Sequence, residues 1–244
     1  MNSALRFASG LTTALLLFGA PGTAFAAPPL RRAGRPAVKG TQQLARLNHD
    51  TKAFSRPTSS SRLVATVSAT RPITGEQTVL PVIAHATDAH GAVWLKVLLP
   101  GRPNSHTGWI SARSTTPALT KWQIIIRIST RRVTALSDGR VARTFEAVVG
   151  KPSTPTPRGR FFVEETVKLG SQEVGAPYAL ALSARSNVLQ EFDGGPGQIA
   201  LHGTNNIGGI PGTAASHGCI RLDTQAITWL ATRIGPGIPV TITS

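Results

Sequence analysis

The chain has a single cysteine, Cys219, in the run Ser216-His217-Gly218-Cys219-Ile220-Arg221-Leu222. A second histidine, His202, opens the run His202-Gly203-Thr204-Asn205 upstream, and a Gly-rich loop joins the two runs. A lone cysteine cannot close an internal disulfide, so it is either a small buried apolar residue or a reactive thiol. Its neighbours favour the thiol. A thiol at its ordinary pKa is only a few per cent thiolate at neutral pH, and a neighbouring imidazole can take the proton. His217 lies two residues from Cys219 and shares its face if the segment is extended. His202 can approach from an adjacent strand. Spacing alone permits either as the base. Gly218 allows close backbone approach to a substrate carbonyl, and the amides of Gly218 and Cys219 could stabilise an oxyanion. Arg221 shares the face of Cys219 by the two-residue period and suits a substrate carboxylate. His202, His217 and Cys219 plus water could also ligate zinc. No CxxC, HExxH or second cysteine accompanies them, so no metal is expected.

Such residues must be carried by strands. Apolar content is 41%, aromatics are 5%, and 24 glycines and 18 prolines punctuate the chain. That balance reads as β-rich and turn-rich. In the C-terminal part, strands are predicted over 123–129, 131–136, 141–149, 160–167, 178–182, 199–202 and 238–243. The Asp138-Gly139 step marks a hairpin. One helix is predicted from the N-cap Asp223 to about Arg233, stopped by Gly235-Pro236. Upstream, 63–67, 77–82, 93–98 and 108–111 read as the short strands of a small β-barrel. His85, His90 and His106 fall here as scattered, solvated residues.

The N-terminus bears on compartment. Arg6, the apolar stretch 11–20 and Ala24-Phe25-Ala26 fit a secretory signal peptide over 1–26. Residues 27–61 are basic, rich in Pro and Ser and without apolar period, and read as a disordered linker. The formal charge is +15. Such a chain is drawn to polyanions. Export makes anionic cell-wall polymers the fitting partner rather than nucleic acid, and no aromatic-basic interleaving of a single-strand binder is present.

Two resemblances follow from these residues. Trp94-Leu95-Lys96-Val97 with Thr107-Gly108-Trp109-Ile110 resembles the strand-turn-"GWI" ending of bacterial SH3-like modules, over fewer than sixty residues. Residues 121–244 resemble the catalytic domain of L,D-transpeptidases, the YkuD family. Its signature is a His, a variable loop, then Ser/Thr-His-Gly-Cys, an apolar residue and Arg or Asn. His202, the loop 203–215 and Ser216 to Arg221 match every fixed position. The segment from Val149-Gly150-Lys151 through Thr154-Pro155-Thr156-Pro157 to Gly159-Arg160-Phe161 resembles a second run of these enzymes.

The resemblance implies an all-β fold: a β-sandwich-like catalytic domain over 121–244 with one short C-terminal helix, preceded by an SH3-like β-barrel over 62–118. It implies Cys219 as nucleophile and His202 as general base, with the Gly203 carbonyl orienting it. His217 would be a second, orienting histidine. Arg221, Ser216 and Tyr178 would meet the substrate, and a segment near 173–178 would cap the site. The implied reaction is acyl transfer from a peptidoglycan stem tetrapeptide to an amine, with no cofactor, by an exported protein expected to be a monomer. With water as acceptor it would be an L,D-carboxypeptidase. Without activity it would be a wall-binding module. A papain-like hydrolase would place Cys before His, and here His202 comes first.

Overall fold

The computed structural model describes residues 40–192 and 194–244. The expected signal segment 1–26 and the linker part 27–39 lie outside the described residues. Among the described residues the chain is all-β apart from one α-helix and a single 3-10 turn.

The first sheet holds seven strands. They are β1 (Gln42–Leu47), β2 (Thr51–Phe54), β3 (Leu63–Val67), β4 (Val79–Thr87), β5 (Val93–Leu98), β6 (Thr107–Ser111) and β7 (Thr115–Thr120). Their spatial order is β3-β2-β6-β5-β4-β1-β7, and every pairing is antiparallel. This corrects the linker expected over 27–61: within it, β1 and β2 are paired strands. β1 lies between β4 and β7, so its partners come from residues 79–81 and 115–120. Three of its six residues, Leu44, Ala45 and Leu47, are buried. Its local sequence, QQLARL, has little alternation, and distant partners make the strand. The folded part therefore also reaches beyond the predicted limits of 62 and 118.

The second sheet comprises β8 (Trp122–Arg127), β9 (Arg132–Ser137), β10 (Arg140–Glu146), β12 (Gly159–Lys168), β13 (Tyr178–Arg185), β14 (Gln198–Gly203), β16 (Ile220–Leu222) and β17 (Pro239–Thr243). The order is β10-β9-β8-β17-β12-β13-β14-β16. A short parallel pair, β11 (Val149–Gly150) with β15 (Ala214–Ser216), stands beside it. The predicted hairpin forms at Asp138-Gly139, both with positive φ (50° and 73°), as a two-residue turn that follows the twist of β9 and β10. Long β12 pairs with β17 through its first half and with β13 through its second. The two halves of the sheet thus share one apolar core, which holds Ile124, Ile126, Val240, Phe161, Leu180, Leu182, Ile199 and Leu201.

The helix α1 (Thr224–Ala231) closes that core with Ala226, Ile227 and Leu230. Asp223 caps it as predicted, its carboxylate accepting from the Ala226 amide at 2.7 Å.

Successive residues of β12 serve two cores. Phe161 belongs to the core beneath α1, while fully buried Phe162 joins the core of the first sheet, among Leu80, Val97 and Ile110. Glu164, 1% exposed, lies between Arg71 and Arg185, with Arg185 Nη2 at 3.1 Å. The neighbouring Glu165 accepts from the amide and hydroxyl of Thr74, both at 3.0 Å. The two sheets are therefore bound through β12 by apolar packing and buried charge together. Phe162→Ala should lower unfolding stability by about 3–5 kcal/mol in denaturant titration, because it opens a cavity in the first core from a strand of the second.

Candidate active site

Residues of β14 alternate between two faces. Ile199 and Leu201 point into the core, which puts Gln198, Ala200 and His202 on the opposite face. β16 runs parallel to β14, with Leu201 opposite Ile220 and His202 opposite Arg221. Ile220 and Leu222 also enter the core, so Arg221 faces the other way. Cys219 immediately precedes β16, one step back on the face of Arg221. This parallel register gathers His202, Cys219 and Arg221 on one face of two adjacent strands.

His202 is held in one orientation. Its Nδ1–H donates to the Gly203 carbonyl at 2.8 Å, which leaves Nε2 as the proton acceptor. The segment 173–177 packs over the ring, where a cap was expected. Gly175, at φ +86°, lies so close that a Cβ there would stand 2.5 Å from Nδ1. The Gly203 amide donates to the Gly175 carbonyl at 2.7 Å. Burial lowers the His202 pKa, the Gly203 carbonyl partly opposes this, and the Arg221 charge lowers it further. The Cys219 thiol is pushed above its ordinary 9.0, chiefly by burial, with the Ala200 amide and Arg221 pulling the other way. At neutral pH the two groups therefore rest as thiol and neutral imidazole.

Arg221 is buried to 8% exposure. Nη1 donates to the Gly208 carbonyl at 3.3 Å, and Nε has no partner. Among the described residues no carboxylate pairs with it. A buried, half-satisfied guanidinium suits an incoming carboxylate.

The loop carrying Cys219 is anchored by residues whose roles the sequence left unassigned. The Thr156 hydroxyl accepts from the Gly150 amide at 2.9 Å and donates to the Gly218 carbonyl at 2.8 Å. The Ser216 carbonyl accepts from the Lys151 amide at 3.0 Å and the Thr154 hydroxyl at 3.2 Å. A Cβ at Gly150 would collide with the backbone of 154–156. The Thr-Pro-Thr-Pro segment is thus a cradle for the cysteine loop. Its motif was visible, but only folding shows where its hydroxyls go.

Four expected roles change. Ser216 is wholly buried, and its hydroxyl accepts from the Gly218 amide at 3.1 Å and donates to the Cys219 carbonyl at 2.6 Å. It braces the loop instead of meeting substrate. The Gly218 amide is consequently engaged and is no oxyanion donor. What that position requires is glycine's conformation: φ is +121°, and a Cβ would press on Ile199 at 3.0 Å. This turn also breaks the extended geometry that would have put His217 on the face of Cys219. His217 is exposed, with Nε2 3.4 Å from the Lys151 ammonium and its ring stacked on Phe192 at 5.8 Å. Tyr178 packs against the core, on the face of Leu180, away from His202.

A family profile described as the L,D-transpeptidase catalytic domain, YkuD, matches residues 121–242. The chain belongs to the L,D-transpeptidase family. It is 30% identical over 146 residues to the YkuD protein of Bacillus subtilis (strain 168), covering 60% of this chain and 73% of that protein. It is 30% identical over 130 residues to L,D-transpeptidase 1 of Mycobacterium tuberculosis, covering 48% of this chain and 49% of the relative. The chain thus spans about half the length of that relative. Among solved structures, L,D-transpeptidase 3 of Mycobacterium tuberculosis aligns with a TM-score of 0.42 at 16% identity, over 67% of this chain and 94% of that one.

Two outcomes check this geometry. Thr156→Val keeps side-chain shape but leaves a buried amide and carbonyl unpaired. It should cost about 1–3 kcal/mol in thermal unfolding. The thiolate is the form that reacts, and burial raises the thiol pKa. The iodoacetamide rate in the free protein should therefore climb with pH, with a midpoint on the alkaline side of 9.0. A midpoint well below that value would mean a preformed thiolate–imidazolium pair.

Proposed function

We propose that the protein is an exported peptidoglycan L,D-transpeptidase that uses Cys219 as its nucleophile. The observation that carries this reading is the pairing of β14 with β16. It sets His202, with Nδ1 tied to Gly203 and Nε2 free, on the same face as the only thiol of the chain. Family membership supports the reaction class, and the signal-like segment 1–26 supports export. The charge of +15 suits attraction to anionic wall polymers.

In the proposed reaction a stem tetrapeptide lies along the face of Ala200 and His202. Its carboxylate pairs with Arg221. His202 Nε2 takes the Cys219 proton as sulfur attacks the carbonyl of the third stem residue. The Cys219 amide, with the Gly218 amide already engaged, is the backbone donor for the oxyanion. The carbon–nitrogen bond to the terminal D-alanine then breaks, and the imidazolium protonates the departing amine. A neighbouring stem amine attacks the thioester, gives its surplus proton to His202 and releases the sulfur, which is reprotonated. Because free thiol and imidazole rest neutral, the proton passes from sulfur to His202 Nε2 as the sulfur attacks, with no preformed ion pair.

The test is mass spectrometry of tetrapeptide-bearing wall fragments incubated with an amine acceptor. Cys219→Ala should abolish both D-alanine release and the thioester adduct. His202→Ala should lower acylation by about 10²–10⁴-fold. His217→Ala should cost markedly less. Survival of D-alanine release in Cys219→Ala would overturn the assignment, and greater tolerance at His202 than at His217 would overturn the choice of base.

A further inference from the structure

The loop 100–106, between β5 and β6 of the first sheet, reaches across to the second. Arg102 Nη1 donates to the Pro196 carbonyl at 2.9 Å, and Nη2 donates to the carbonyls of Ser186 at 2.8 Å and Leu189 at 3.2 Å. Asn104 adds a reciprocal pair with the backbone of Arg185, at 2.7 and 2.8 Å. All these partners lie at the end of β13 or in the segment 186–197 that links it to β14. That segment carries Phe192, stacked on His217. It ends at Gln198, whose carbonyl lies 4.0 Å from the Cys219 sulfur. Gly197, at φ +63°, is pressed so closely against Leu189 that a Cβ would not fit.

A rigid fork with five donors can gather carbonyls from three points of an irregular segment, which a point charge on a flexible stem cannot. The hydrogen bonds of Arg102 among the described residues all go to these carbonyls. The segment buries little of its own: Val188 and Phe192 are about half exposed. Its own hydrogen bonds close its neck (Ser186 amide to Gly197 carbonyl, 2.8 Å) and its tip (Phe192 with Gly195), and the tether from Arg102 and Asn104 fixes it to the first sheet. We propose that Arg102 is a positioning residue for the active site. It holds 186–197 so that Phe192 stays stacked on His217, the two rings forming one wall of the loop that carries Cys219. The first sheet is then a structural part of the site, independent of any wall-binding role. The catalytic consequence rests on the transpeptidase reading, while the structural consequence does not.

The test uses the full chain with Arg102→Met, Arg102→Lys, Phe192→Ala and the Arg102→Met/Phe192→Ala double variant. Arg102 is exposed, so the variants should fold. In Arg102→Met, amide hydrogen exchange across 186–197 should accelerate by about tenfold or more while β5 and α1 stay unchanged. KM for the stem peptide should rise more than kcat falls, and Arg102→Lys should lie between. If Arg102 acts through the wall, its effect on KM should largely vanish in the Phe192→Ala background. Unchanged exchange in 186–197 overturns the tether, and fully additive effects on KM overturn the route through Phe192. The exchange measurement needs no substrate, so a failed transpeptidase assignment would leave it standing and would show separately in Cys219→Ala.

Discussion

The site depends on one backbone constraint, the parallel pairing of β14 with β16. Side chains alternate along a strand, so a slip of one residue would send His202 or Arg221 into the core and bring Leu201 or Ile220 to the surface. The apolar residues Ile199, Leu201, Ile220 and Leu222 resist such a slip, because each would leave a well-packed interior. The same burial that stabilises the fold thereby sets the register of the chemistry. Parallel neighbours need a crossover, and the residues between the two strands supply it. Its last part is held by the β11–β15 pair and by Thr154 and Thr156, which fasten the carbonyls on either side of His217.

Burial also shapes the electrostatics. His202, Cys219 and Arg221 share a face with little water, which penalises every charge on it. Arg221 is a buried guanidinium with an unpartnered Nε. That charge disfavours imidazolium at His202 and favours thiolate at Cys219. Burial outweighs these effects and leaves the pair neutral at rest. A carboxylate beside Arg221 would cancel both effects of its charge, the penalty on imidazolium and the support for thiolate.

The first sheet is bound to the second by contacts of several kinds. Phe162 enters its core, Glu164 and Glu165 reach Arg71 and Thr74, and Arg102 and Asn104 reach the segment before β14. The Phe162 backbone amide donates to the Ser183 hydroxyl at 3.1 Å, on the sheet face that continues through Ala181 to Ala200 and His202. The first sheet therefore packs against the face that carries the site. A paired strand such as β1, with only three buried apolar residues, owes its order to this shared architecture.

The residue types were sufficient for much of this. One cysteine amid two histidines and glycines singled out Cys219 as the candidate nucleophile, and the alternation in 199–202 and 238–243 already marked strands. Asp223 and the Asp138-Gly139 step acted as expected because capping and two-residue turns are local events. The separate roles of His202 and His217 were beyond the sequence, because they depend on φ at Gly218 and on which strand lies beside Cys219. So were the inward turn of Ser216, the core-facing side of Tyr178, and the strands hidden within 42–54. Each is decided by partners tens of residues away, through hydrogen bonds and packing that no local pattern encodes. The sequence by itself determined which groups can react. Only the tertiary structure decided which of them share a face, because strand register and burial are properties of the assembled sheet.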